Sequence, residues 1–81
     1  MSISVQFFSY FKDLAGCDCF TANVSEGATM AELLDVIYKQ FPKLEPMRKS
    51  TLVAVGLDYQ DRAYILKEGD QVSLFPPVQG G

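Results

Sequence analysis

The sequence predicts an α+β domain in which one main helix packs on one face of a mixed sheet of four to five strands. Three observations carry that expectation. Residues 3–10 and 71–75, near the two ends of the chain, read as strands, the first alternating at period two before breaking at Phe8. Between them lies one helical repeat, formed by Met30, Leu33, Leu34, Ile37 and Phe41. Apolar residues make up 48% of the 81, enough for a single packed core. A lone amphipathic helix buries its stripe only against another layer.

Taken in order, Ile3, Val5 and Phe7 share one face of a first strand over 3–10, and Phe8 and Tyr10 fall on the other. Lys12-Asp13-Leu14-Ala15-Gly16 reads as a polar turn closed by glycine, leading into a second strand over 17–24 that forms a hairpin with the first. Thr29-Met30-Ala31-Glu32 is a capping-box pattern, with Thr29 at the N-cap and Glu32 three residues on. The helix stops before Pro42, which restricts Phe41. Residues 43–50 are charged and irregular, with room for one short turn. Leu52-Val53-Ala54-Val55-Gly56 reads as a buried strand, 57–65 as a short strand around Tyr59 or Tyr64, and Lys67-Glu68-Gly69-Asp70 as the turn before the last strand. The division expected is a folded domain over 1–75 and an extended tail over 76–81.

Composition narrows the function classes. A net charge of −3 and a pI near 4.6 argue against nucleic-acid binding, which calls for a basic face. They suit a small protein steered to a basic partner surface. The N-terminus lacks a charged segment followed by an apolar one, and no apolar run approaches bilayer length. The expectation is a cytoplasmic protein without membrane contact. With two Cys and no His, the chain falls short of the four ligands of a structural metal site. Cys17 and Cys19, two apart, would share a strand face as small hydrophobes, too far apart for a relaxed disulfide. Carboxylate pairs suited in principle to acid–base work, such as Asp58 with Asp61, lie on a polar connection and read as turn residues.

The ending Phe75-Pro76-Pro77-Val78-Gln79-Gly80-Gly81 carries the functional signal. Glycines also collect at chain ends without a role; the Phe-Pro-Pro-Val ahead of them gives the functional reading its weight. The prolines favour extended backbone, so residues 76–81 reach about 20 Å past the last strand. Two glycines without side chains thread a narrow channel. A carboxylate at Gly81 is a poor electrophile until adenylation makes it open to a sulfur or nitrogen nucleophile. Parity adds a docking surface. If Ile3, Val5, Phe7, Val72 and Leu74 face the helix, Phe8 and Phe75 occupy the opposite sheet face, with Tyr59 joining them.

Residues 7–16, Phe-Phe-Ser-Tyr-Phe-Lys-Asp-Leu-Ala-Gly, and 69–81, Gly-Asp-Gln-Val-Ser-Leu-Phe-Pro-Pro-Val-Gln-Gly-Gly, resemble the small, sulfur-carrier subunit of molybdopterin synthase, of the ubiquitin-like sulfur carriers. The resemblance spans nearly the whole chain. Lys12 stands where that family usually has Arg, and Gly56 where Asn is common. The resemblance and the order of elements together imply the β-grasp fold. The resemblance further implies that a ubiquitin-activating-like adenylyltransferase uses ATP and Mg²⁺ to activate Gly81. A thiocarboxylate on Gly81 then delivers sulfur to cyclic pyranopterin monophosphate inside the large catalytic subunit, in a heterotetramer with two large subunits. On this reading Gly81 carries sulfur, Pro76, Pro77, Val78, Gln79 and Gly80 form the arm, and Phe8, Tyr59 and Phe75 meet partners. The carrier is then no enzyme on its own and binds no cofactor. Rival readings are a β-grasp carrier for thiamine, cysteine or tRNA thiolation, a protein modifier conjugated to lysines, and a plain interaction module.

Overall fold

The structure, a computed structural model, is described over residues 1–77; Val78, Gln79, Gly80 and Gly81 lie outside the described residues. Strand β1 spans Ser2–Phe7, helix α1 Phe11–Ala15, strand β2 Cys19–Asn23 and helix α2 Met30–Gln40. A 3-10 helix over Pro42–Met47 follows, then β3 (Leu52–Val55), β4 (Asp58–Tyr59) and β5 (Gln71–Phe75). The sheet order is β2-β1-β5-β3-β4. β1 and β5 run parallel, and the other neighbours run antiparallel. The last strand therefore lies in the middle of the sheet beside the first, the arrangement of the ubiquitin-like β-grasp.

Period-two burial on the strands and a stripe on α2 build one core. Ile3, Val5, Phe7, Val53, Val72 and Leu74 point toward Met30, Leu33, Leu34, Ile37 and Tyr38, all buried. Phe41 closes one end edge-on, its ring centroid 5.1 Å from both Phe7 and Phe20. The capping box forms as the sequence implies. Glu32 N–H donates to Thr29 Oγ1 at 3.4 Å, and Thr29 N–H donates to Glu32 Oε1 at 3.3 Å. The next donors, Met30 N–H and Ala31 N–H, reach the carbonyls of Tyr64 and Arg62. The polar connection after β4 thus covers the helix N-terminus.

Several expectations are corrected. β1 ends at Phe7, because Ser9 takes a left-handed φ of 57° and turns the chain. Tyr10 is consequently not a strand residue; it flanks α1, with its ring edge-on to Phe11 at 5.6 Å. The polar turn over 12–16 is a helix instead. Phe11 is buried, and Leu14 and Ala15, three and four residues on, pack against the core. Gly16 ends it at φ 79°, a conformation glycine adopts without strain, and its N–H donates to Lys12 O at 2.8 Å. β1 and β2 pair as a hairpin would, but α1 joins them. Cys17 lies ahead of β2, so the cysteines do not share a strand. The short strand falls at Tyr59, whereas Tyr64 donates its hydroxyl to Asp70 at 2.9 Å.

Arg48 ties the 3-10 helix to α2. It bonds Asp35 at 2.6 Å and Glu45 at 3.0 Å, with its guanidinium 4.6 Å above the Tyr38 ring. Beneath it, Tyr38 donates to Thr51 Oγ1 at 2.9 Å, and Thr51 donates to Met47 O at 2.7 Å. Among the described residues, every buried side-chain nitrogen and oxygen is paired.

Candidate functional site at the end of the central strand

β5 is hydrogen-bonded on both sides, to β1 and to β3, and that pairing fixes its alternation. Val72 and Leu74 enter the core, so Phe75 is turned to the sheet face away from α2. Phe8 N–H donates to Leu74 O at 3.1 Å, which brings Phe8 beside Phe75 after β1 has ended. Their rings stack at 4.7 Å with an interplanar angle of 17°. Leu52 pairs with Phe75 across the β3–β5 ladder, and Ala54 pairs with Tyr59 across the β3–β4 ladder. Tyr59 therefore stands on the same face, its ring edge-on to Phe75 at 6.3 Å. The parity argument thus places all three aromatics correctly.

The cluster is open to solvent. Tyr59 is 69% exposed and Phe8 36%, while Phe75 is half-buried between them. Half-buried Pro76 and Pro77 follow, so the chain leaves the sheet at this corner. Leu57, at the β3–β4 turn, is fully exposed. One apolar residue inside a polar connection offered no sequence signal for it. Gly56 holds that turn at φ 60°, in the left-handed region that Asn also tolerates.

Among the described strand residues, none on the open sheet face is Asp, Glu, Lys or Arg. That face presents Ser2, Ser4 and Gln6 from β1, Cys19, Thr21 and Asn23 from β2, and Gln71 and Ser73 from β5. The one acidic or basic residue within the strands, Asp58, alternates with Tyr59 onto the other side. Lys12 lies in the walls of a shallow depression shared with Phe8, Asp18 and Cys19.

The remaining candidates do not assemble. Cys17 is half-buried against the core and Cys19 is exposed. Asp61 accepts Ala63 N–H at 2.8 Å, which is turn chemistry, and Asp58 belongs to β4. Among the described residues, no three potential metal ligands cluster. The phenols of Tyr38 and Tyr64 are both shifted up, the first mainly by burial, the second by burial and then by the Asp70 carboxylate. Both lie away from the aromatic cluster. The expected roles of Val78, Gln79, Gly80 and Gly81 fall outside the described residues.

The fold and the aromatic corner define a ubiquitin-like β-grasp protein whose central strand runs out beside an exposed apolar surface. The ThiS family model matches residues 5–81, and the chain belongs to that family. The molybdopterin synthase sulfur carrier subunit of Chlamydomonas reinhardtii is 33% identical over 84 residues, covering all of both chains. Among solved structures, SAMP1 from Haloferax volcanii superposes with a TM-score of 0.88 at 26% identity, over all of both chains. The putative molybdopterin converting factor subunit 1 from Pyrococcus furiosus gives 0.87 at 30% identity, covering 96% of this chain and 99% of that one. A protein–protein complex of subunits 1 and 2 of molybdopterin-converting factor from Helicobacter pylori gives 0.69 at 26%, over all of both chains.

Proposed function

We propose that this chain is the sulfur-carrier subunit of a molybdopterin synthase, built as a β-grasp domain over 1–75 and a delivery arm over 76–81. The observation that carries the reading is the exit of β5, through Pro76 and Pro77, beside the Phe8–Phe75–Tyr59 surface. A partner that grips the aromatics receives the arm. Family membership and the full-length likeness to the algal carrier subunit supply the chemistry. The Helicobacter complex supplies a precedent for pairing with a second subunit.

In this mechanism the Gly81 carboxylate attacks the α-phosphate of ATP on an activating adenylyltransferase. Pyrophosphate leaves and an acyl-adenylate forms, with Mg²⁺ and ATP held by that partner. A sulfide-equivalent nucleophile displaces AMP and leaves a thiocarboxylate. Inside the large subunit, this sulfur attacks a side-chain carbon of cyclic pyranopterin monophosphate, forming a C–S bond as that carbon's C–O bond breaks and its oxygen leaves; hydrolysis of the acyl link returns the carboxylate for another round. The carrier contributes Gly81 as the sulfur-bearing residue, Gly80 for unhindered passage, and the prolines for extension. Proton transfers fall to the partner, because this chain has no His. It is a subunit of a catalyst rather than an enzyme alone.

The test is reconstitution. The chain, ATP, Mg²⁺, the activating enzyme and a sulfur source are combined, and intact mass is followed. One oxygen exchanged for sulfur at Gly81, followed by molybdopterin formation on adding the large subunit, is expected. Unmodified protein under conditions that load a known carrier removes the reading. The likeness to SAMP1 favours a second reading, a protein modifier. The same chain isolated from its own cells, joined through Gly81 to lysines of other proteins, would establish it.

A further inference from the structure

β2 is the outer strand at one edge of the sheet, and its pairing with β1 determines which backbone groups are used. Phe7 N–H donates to Asp18 O at 2.8 Å, and Val24 N–H donates to Met1 O at 3.0 Å. Even-numbered residues of this stretch thus face β1, and the N–H and C=O groups of Cys19, Thr21 and Asn23 point outward. Proteins usually guard such an edge with charge, proline or a bulge. Cys19-Phe20-Thr21-Ala22-Asn23 has no charged residue and no proline, and its register with β1 is unbroken. The opposite edge differs: β4 is two residues long and carries Asp58.

Beside the end of β2, an open groove of about 500 Å³ separates this edge from α2. Val24, Ala28 and Val36 supply its apolar lining, and Glu32 and Asp35 stand on the helix wall. Val36 is 36% exposed, on a helix whose other large aliphatic residues are buried. Glu26, on the loop between Ser25 and Ala28, adds a third exposed carboxylate. Asp35 is bonded to Arg48, and Lys39 follows one turn along, so negative charge concentrates toward Asn23 and Ser25.

We propose that this groove takes an extended segment of a partner protein as an added strand, apolar at alternate positions and carrying Lys or Arg where it passes Asn23. Backbone pairing satisfies the outward groups of Cys19, Thr21 and Asn23. Alternation then lays every second side chain on Val36 and Ala28, and the carboxylates select a cation. None of these residues belongs to the Phe8–Tyr59–Phe75 cluster, so the groove is filled without competing for the corner where the arm leaves.

The probe is a labelled synthetic peptide of alternating valine and lysine, titrated into the full chain by fluorescence anisotropy. Amide hydrogen exchange is measured in parallel. Saturable binding with slowed exchange at Cys19, Thr21 and Asn23 is expected. Val36→Lys should weaken it by about tenfold or more, through a lost apolar contact and like-charge repulsion. Thr21→Pro deletes an outward donor, leaves the β1 ladder intact, and should weaken binding similarly. A peptide interrupted by proline should not bind, and Phe75→Arg should bind as wild type does. Unchanged exchange at the three amides, equal binding of the interrupted peptide, or full binding by Val36→Lys overturns the proposal. Loss of binding in Phe75→Arg also overturns it, by moving the site to the aromatic corner. Sulfur loading of Val36→Lys should match wild type, which separates this test from that of the carrier reading.

Discussion

Phe75 does two things that pull in opposite directions: it belongs to a central strand, yet its ring lies outside the core. Its alternation with buried Leu74 made that legible in the sequence, since parity needs only one secure core residue. The stack on Phe8 was legible only as a shared face, because Phe8 lies past the end of β1, where its N–H donates to Leu74 O and its carbonyl accepts from Phe11 N–H. Phe75→Arg should give a folded monomer whose affinity for the large subunit falls by about 2 kcal/mol or more. Circular dichroism with thermal melting checks the fold, and calorimetric titration the affinity. Normal melting with normal affinity would place docking elsewhere. Tyr38 shows the converse, a polar group drawn inside. Burial lifts its phenol above the ordinary 10.0, so the unfolded chain ionises first. Stability from this group is full below about pH 10 and declines as pH rises through the higher folded value. Tyr64, also shifted up, adds the same sign. Melting temperature should therefore hold from neutral pH and fall above about pH 10. Tyr38→Phe should blunt that fall and cost about 1 kcal/mol at neutral pH, since Thr51 keeps its bond to Met47 O.

Among the elements, α2 was the most legible, because three local signals agree on it: a capping box, an apolar stripe and a terminating proline. Thr29→Ala removes one half of that box and should lower stability by about 1 kcal/mol, read as a lower denaturation midpoint with unchanged sulfur loading. The Tyr64 and Arg62 carbonyls that receive Met30 and Ala31 N–H should keep the helix from fraying further. α1 was hidden by its brevity. Five residues barely exceed one turn, and the apolar pair Phe11 and Leu14 is too short a sample for a period. β1 was read too long because the turn at Ser9 uses a residue that seldom marks a left-handed position, although the alternation already breaks at Phe8. β4 is two residues set by the β3 ladder and Gly56, so its existence depends on tertiary pairing more than on propensity.

At the scale of the whole molecule, the fold followed from element order, whereas the aromatic corner needed segments from both ends of the chain to meet. The uncharged sheet face was not legible at all, since it emerges only when five strands are laid side by side. Removing Gly81, or extending the chain by one residue, should leave the melting curve unchanged and abolish adenylation by the activating enzyme. Wild-type adenylation in the shortened chain would remove the carrier mechanism. Cys17→Ser with Cys19→Ser should load sulfur normally and lose about 1 kcal/mol of stability, because only Cys17 touches the core. A folded double variant that fails to load would assign a thiol to the chemistry.

The position of β5 also governs how the domain bears a mechanical load. A pull on the segment after Phe75 is directed along β5, which is bonded to β1 on one side and β3 on the other. Parallel pairing with β1 makes that pull a shear, so the ladder bonds resist together instead of opening in sequence. An edge strand such as β4 would instead peel away one residue at a time. On the carrier reading proposed above, the arm is thus rooted where the sheet yields last.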